Sequence, residues 1–412
     1  VTSPFYTDDL TEFQAVIRTP VLCYLAHTVG NVVGYGSRSR RGAMDDTLWP
    51  LEPATEAKHR LYKRYLDGWW PVLLQPNNQG YSWPKVTYID AFAGPGRYRD
   101  GEEGSPVFVL DRLLKHAARD RMGLRRSRVQ LVFIEKRRDR YEHLVAELGE
   151  KFGDLAALPV RVEVVHGEAA DETTRALDQL EAWGNPVLAI FDSWGNVNVP
   201  LPLLSKIAGN RASEAIVTFG PNWFSRREDL DSDQLDAVFG GREFWQKADR
   251  DSTPDERWRE WLATYRDALQ RAGFEYQLQF EVVPRTGQPL YLVHGTKHVK
   301  GVQVMKDAMW KVDGEGGMKF RDPRTRGAEV AGQMDLFGTG GGVDPELREL
   351  LAQRLASGPV SVETLRDWLE RETARWLGKH APEALRILVA EGVVHVEPAS
   401  GQINRKSIVR LR

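Results

Sequence analysis

Three acidic residues recur at the downstream end of short apolar runs. Asp90 follows VTYI, Glu135 follows VQLVFI, and Asp192 follows VLAIF. A carboxylate there stands at the carboxyl end of a strand, where doubly wound sheets open a crevice for a ligand. Asp90 leads into Phe92, Ala93, Gly94 and Gly96 in the run DAFAGPG. Glycine in a tight turn after a strand lets the backbone approach a ligand closely. The third glycine of G-x-G-x-x-G is missing, and the run does not match the P-loop pattern G-x-x-x-x-G-K-[ST]. Glu135 is placed to accept hydrogen bonds from ribose hydroxyls. It lies 45 residues after Asp90, against about 20 in the dinucleotide fingerprint. The polar insert RYRDGEEG and a long helix entered at Ser105 and Pro106 account for the excess. After a third run, HGEAADE offers Glu168 or Asp171 to an adenine amino group, with helix capping as the other reading of Asp171. Asp192 faces the same crevice, and Trp194 beside it could stack on a planar substrate. The bland readings are a glycine-rich turn, a solvated Glu135 and an Asp192 that caps the next turn.

The pattern D-x-F-x-G-x-G resembles motif one of class I S-adenosylmethionine-dependent methyltransferases. The resemblance implies S-adenosyl-L-methionine as cofactor. Asp90, Phe92, Ala93, Gly94, Gly96, Glu135, Glu168 and Asp192 would surround it, with glycine facing its methionine portion. Methyl transfer moves an electrophilic carbon from a sulfonium, so a base or acceptor must align the nucleophile's lone pair. Asp192, or the backbone carbonyl beside it, is the candidate, with Trp194 as its catalytic neighbour. Amino-methyltransferases often carry D-P-P-Y here. This chain has D-S-W-G, which counts against amine methylation.

Those residues need a sheet to hold them. Five apolar runs (86–92, 129–134, 160–165, 186–192 and 214–220) alternate with helical patterns. That grammar predicts βαβ units and a mostly parallel sheet. Runs 274–284 and 289–297 flank the turn RTGQ and could pair as a hairpin, after a helical insert near 230–272. Thr55, with Glu56 in the first turn, predicts a helix start. Residues 1–46 read as an N-terminal extension, 47–320 as the main domain, and 321–342 as a linker whose GTGGG run predicts few contacts across it. Residues 343–412 read helix, helix, helix, strand, turn, strand, the pattern of a winged helix. Together with the motif-one resemblance, this organisation implies a class I methyltransferase-like, doubly wound, mostly parallel α/β sheet with a C-terminal winged-helix-like domain.

Composition sets limits. The formal net charge of −2 over 412 residues excludes a generally basic nucleic-acid coat. No apolar run nears the roughly 18 residues of a membrane span, and VTSPFYTDDL lacks the basic and apolar regions of a signal peptide. The lone cysteine, Cys23, reads as a core residue and makes neither a disulfide framework nor a zinc site. A cytoplasmic, membrane-free protein without a metal is expected.

The order of motifs is more specific than the fold. TLWPLEPATEAKHRLYKRYLDGWWPVL, YIDAFAGPGRYRDGEEGSP, FIEK and TKHVKGVQVMKDAMWKVD, over roughly 47–337, resemble the three-Cys-motif partner (TcmP) family. That resemblance implies a separate Cys-rich partner of radical-S-adenosylmethionine type, which would carry the cysteines this chain lacks. Two stretches of these motifs fall outside the crevice residues. Lys58 and His59 in T-x-x-K-H could pack over the cofactor site, and His298, Lys300, Lys306 and Asp307 lie around the last hairpin and its helix. Residues 119–140 carry nine basic residues against three acidic ones, a solvated face or a phosphate-tracking patch through Arg137 and Arg138. In the C-terminal domain Lys379, Arg405, Lys406 and Arg410 would contact phosphates. Together these features predict a methyltransferase acting on DNA, RNA or a nucleotide-like substrate. The alternatives are a non-catalytic platform that brings nucleic acid to its partner, and a small-molecule methyltransferase.

Overall fold

The structure is a computed structural model that describes residues 47–195, 199–228, 232–247, 249, 251–314, 316–324, 344–398 and 403–412. The N-terminal extension with Cys23, and the linker from 325 onward, lie outside the described residues.

Helix α1 (Pro53–Leu74) opens the described chain. Its N-cap is Glu52 with Pro53 in the first turn, so Thr55 sits inside the helix rather than capping it. Proline lacks the N–H that a first turn cannot satisfy anyway, which makes it the better start. The alternating units follow: β1 (Val86–Asp90), α2 (Ser105–Leu114), β2 (Val129–Glu135), α3 (Arg138–Phe152), β3 (Arg161–His166), α4 (Ala169–Gln179), β4 (Val187–Phe191), α5 (Leu201–Gly209) and β5 (Glu214–Phe219). Then come α6 (Pro221–Arg227), α7 (Ser232–Phe239), α8 (Pro254–Ala272), the strands β6 (Tyr276–Val283) and β7 (Leu290–Thr296), α9 (Val299–Val312) and a short β8 (Lys319–Arg321).

The strands form one sheet in the order β3-β2-β1-β4-β5-β7-β6-β8. Only β7 runs against the rest, pairing antiparallel with both β5 and β6. This is a mixed α/β, mostly parallel sheet, as the alternating runs predict. Every residue of β1, β2, β4 and β5 is buried. Two-sided burial explains why these strands read as continuous apolar runs rather than alternating ones. One face packs α1, α2, α3 and α9 over Tyr88, Leu131 and Ile190; the other packs α4, α5 and α8 over Ile89, Val132 and Ala189. A fully buried aliphatic or aromatic side chain is worth about 1.5–3 kcal/mol.

The last part holds α10 (Pro345–Leu355), β9 (Val360–Ser361), α11 (Val362–Glu372), α12 (Ala381–Ala390), β10 (Val394–Glu397) and β11 (Ile408–Leu411). Three helices thus cover a small antiparallel sheet ordered β10-β11-β9. The expectation of few contacts with the main domain is corrected here. Lys306 of α9, fully buried, donates to the carbonyls of Leu369, Glu370 and Trp376, each at 3.0 Å. Trp310 donates its indole N–H to Arg375 O at 2.8 Å and packs against Trp376. A flexible connection sets the freedom of the chain between two bodies, but it cannot prevent their surfaces from docking.

No helix among the described residues is long and apolar enough to cross a membrane.

Candidate functional site

Parallel strands end on one edge of the sheet, and there the carboxyl ends of β1, β2 and β4 border a cleft of about 260 Å³. Asp90 is buried at its floor, where its Oδ1 accepts the Phe92 amide at 3.2 Å. Burial pushes its carboxyl up to about 6, against hydrogen bonds from Ser105 and Phe92. The loop Phe92–Gly96 turns over the strand tip with Gly94 at φ +67° and Gly96 at φ +85°. Gly96 also makes room: a Cβ there would meet Leu144 at 2.9 Å. Phe92, Ala93, Gly94 and Gly96 all line the cleft.

Glu135 lines it too, but its oxygens already have partners. Oε2 accepts the Gly94 amide at 2.9 Å and Oε1 the Arg137 amide at 2.7 Å. The acid at the tip of β2 therefore braces the glycine loop. Carboxylate oxygens carry further lone pairs, so a ribose diol can still be accepted beside these amides.

Asp192 differs most from its expected role. Lys58 donates to its Oδ1 at 2.7 Å and Oδ2 at 2.8 Å, Thr218 to Oδ1 at 2.7 Å and Tyr62 to Oδ2 at 3.1 Å. Burial pushes the carboxyl up, yet the Lys58 charge and these hydrogen bonds outweigh it and hold Asp192 below the ordinary carboxylate value. A carboxylate so stabilised is a poor proton acceptor. In this structure Asp192 lines the cleft and anchors the Lys58 ammonium. Lys58 is buried in α1 and its ammonium lies 4.6 Å from the ring centroid of Trp194. Trp194 is 49% exposed and holds a left-handed backbone at φ +58°, an outlier for a bulky residue.

The remaining expected residues scatter. Glu168 is the exposed N-cap residue of α4 and pairs with Lys136 at 2.6 Å; it does not line the cleft. Asp171 lies in the first turn of the same helix, so it does not cap it. Arg137 pairs with Asp139 and lines the cleft, whereas Arg138 pairs with Glu142 on the outside of α3. Lys379 pairs with Asp307 of α9, so it serves the docking of the C-terminal part. Arg405 lies 3.9 Å from Glu363, and Lys406 is exposed.

The cleft also recruits residues to which the sequence motifs assign no role in it. Trp49, Thr55, Tyr62, Tyr98 and Arg140 line it beside Lys58 and His59. Trp49 packs edge-on to Tyr98, and Arg140 lies over the Trp49 ring at 4.5 Å. Burial, then the Lys58 charge, lowers His59 to about 3, so it stays a neutral ring beside Tyr98. The signal was present in T-E-A-K-H, where helical spacing puts Thr55, Lys58 and Tyr62 on one face of α1.

These residues fit S-adenosylmethionine. Its sulfonium and ammonium suit a site floored by Asp90, its ribose diol suits Glu135, and its carboxylate suits Arg97, Arg137 or Arg140 on the rim. Two buried polar atoms in the wall, Thr55 Oγ1 and Trp49 Nε1, have no hydrogen-bond partner among the described residues. Orphaned buried donors and acceptors are costly and would be satisfied by a polar ligand.

No protein-family model matches the chain, and neither does any curated protein. Solved structures do. The N-terminal domain of EvdMO1 with SAH bound is 16% identical, over 63% of this chain and 85% of that chain, with a TM-score of 0.31. Trm1 from Pyrococcus horikoshii with S-adenosyl-L-methionine is 10% identical, over 60% of this chain and 58% of that one, TM-score 0.33. The O-methyltransferase TomG from Streptomyces achromogenes, in complex with SAM, is 13% identical, over 62% and 95% respectively, TM-score 0.30. This chain thus spans less than two thirds of Trm1.

Proposed function

We propose that this chain is an S-adenosylmethionine-dependent methyltransferase whose cofactor occupies the cleft at the carboxyl ends of β1, β2 and β4. The observation that carries the reading is the Gly94 amide bonded to Glu135 Oε2 at 2.9 Å. It joins the glycine turn of one strand to the acid of the next, at the point where a nucleoside ligand meets both. The cofactor would supply the transferable methyl group. Lys58 has one N–H beyond the two it gives Asp192, and this would hold an acceptor oxygen of the substrate next to Trp194. Trp194, half-exposed at the rim, suits a planar substrate through stacking.

That planar substrate would be a base of a nucleic acid or a nucleotide-like molecule. The C-terminal arrangement of three helices over a three-stranded sheet supports the winged-helix reading, with Arg405 and Lys406 at the wing for phosphates. The resemblance to the three-Cys-motif partner family supports a Cys-rich partner of radical-S-adenosylmethionine type, in a cytoplasmic setting. The second reading, a non-catalytic platform, is favoured by the committed state of Asp192, which leaves no evident base.

Two measurements test the proposal. Calorimetry with S-adenosylmethionine should show one site per chain, and no binding removes the cofactor. Labelled methyl transfer to total cellular RNA and DNA, with and without the partner, should show incorporation. Binding without transfer to any nucleic acid would favour the platform. Arg405→Ala with Lys406→Ala should lower the log–log salt slope of duplex binding by about 0.9 per lost phosphate contact.

A further inference from the structure

A second cavity, of about 550 Å³, opens at the opposite edge of the sheet, where β5 and β6 begin and β7 ends. It shares no lining residue with the first cleft. The motif TKHVKG builds it. Lys297 and Lys300 stand at its rim, and Gly301 lets the first turn of α9 sit on the floor, since a Cβ there would lie 2.5 Å from Glu214 Oε1. Arg371 of α11 completes the rim, so the docked C-terminal part contributes to the site.

The chemistry of the walls is specific. Trp69, Trp83 and Tyr276 provide aromatic surface. Trp69 is only 3% exposed, yet its indole N–H has no hydrogen-bond partner among the described residues. The floor acid Glu214 is committed: it accepts from Tyr65 OH, from Thr296 Oγ1 at 3.2 Å and contacts His294 Nε2 at 2.9 Å. Lys297, Lys300 and Arg371 outnumber the two acids of the lining, Glu214 and Glu275. The N-terminus of α9 has no side-chain cap, and uncapped first-turn amides attract an anion.

We propose that this cavity binds a nucleoside phosphate, either a free mononucleotide or the terminal nucleotide of a strand. The base lies among the aromatic walls with the Trp69 N–H on one of its acceptors. The phosphate meets Lys297, Lys300, Arg371 and the first turn of α9. The volume holds one nucleotide rather than a duplex. The inference is independent of the methyltransferase reading.

The test is calorimetry on the full chain with the four nucleoside 5′-monophosphates, the matching nucleosides, inorganic phosphate and a 5′-phosphorylated tetranucleotide. Each titration is run with and without S-adenosylhomocysteine. A monophosphate is expected to bind without competition from S-adenosylhomocysteine. Lys300→Ala and Arg371→Ala should each weaken it about tenfold, as for a lost charge-assisted hydrogen bond. Trp83→Ala should weaken nucleoside and nucleotide alike. Lys300 is exposed, so its variant tests the site without risk to folding. Tighter binding of the tetranucleotide than of the monophosphate assigns a strand end, and the reverse assigns a free nucleotide. No monophosphate binding at millimolar concentration, full competition by S-adenosylhomocysteine, phosphate binding as tightly as nucleotide, or an unchanged Lys300→Ala overturns the proposal. Cofactor affinity measured on the same variants stays at the wild-type value, which separates failure here from failure of the cofactor reading.

Discussion

Lys58 and Asp192, 134 residues apart, form a buried bidentate pair with Nζ 2.7 Å from Oδ1 and 2.8 Å from Oδ2. The lysine side chain is 2% exposed and the aspartate 17%. Helix α1 is thereby tied to the tip of β4, and the lysine is held in the wall of the cleft.

Breaking one partner of a buried pair leaves an unpaired charge, at a cost of about 3–5 kcal/mol. Asp192→Ala should therefore lower unfolding stability by about 3 kcal/mol in urea titrations. The double variant Lys58→Met with Asp192→Leu should lose less, because neither charge remains buried. A pair that acts only at the surface would give additive, small losses instead.

Asp90 makes stability and ligand binding depend on pH. Its folded carboxyl titrates near 6, against about 3.9 in an unfolded chain. Between those values the unfolded chain has released a proton that the folded chain keeps. The contribution of Asp90 to stability therefore falls as pH rises from about 4 to 6, and stays low above that. Asp90→Asn should remove this slope, read as the difference between variant and wild type across the window. If S-adenosylmethionine sits here, its sulfonium prefers the ionised carboxylate, so its affinity should rise through pH 6 more than that of S-adenosylhomocysteine.

The two loop glycines should fail in different ways. A Cβ at Gly94 meets only Trp49, at 3.8 Å, whereas one at Gly96 meets Leu144 at 2.9 Å. Both positions are left-handed, which costs an alanine about 1–2 kcal/mol. Gly94→Ala should lose about that much in urea denaturation and bind the cofactor more weakly. Gly96→Ala should lose more stability than Gly94→Ala, because strain and overlap with α3 add.

The C-terminal part should stabilise α9. Ending the chain after Arg324 would leave the Lys306 ammonium without the carbonyls of Leu369, Glu370 and Trp376, and would expose Trp310. Hydrogen exchange over residues 299–312 is expected to speed up in that truncated protein and in Lys306→Met. Equal protection in full-length and truncated chains would mean that the docked surfaces contribute nothing to the stability of α9.

Much of the sheet was legible because strands buried on both faces must be continuously apolar. The runs ending at Asp90, Glu135 and Asp192 mark β1, β2 and β4, and the polarity of a parallel strand puts their acids at one edge. The glycine turn was legible for a similar local reason, since Gly94 and Gly96 adopt φ values that few other residues accept. What each acid does there was decided only by the fold. The partners of Asp192 come from α1 and β5, so strand order and helix docking, not neighbouring residues, determine whether its carboxylate is free. Lys379 is likewise directed to Asp307, across a stretch whose composition suggested separation. Local spacing fixes which face of an element a side chain takes, while the burial that neutralises a charge or lowers a base depends on what another element brings against that face.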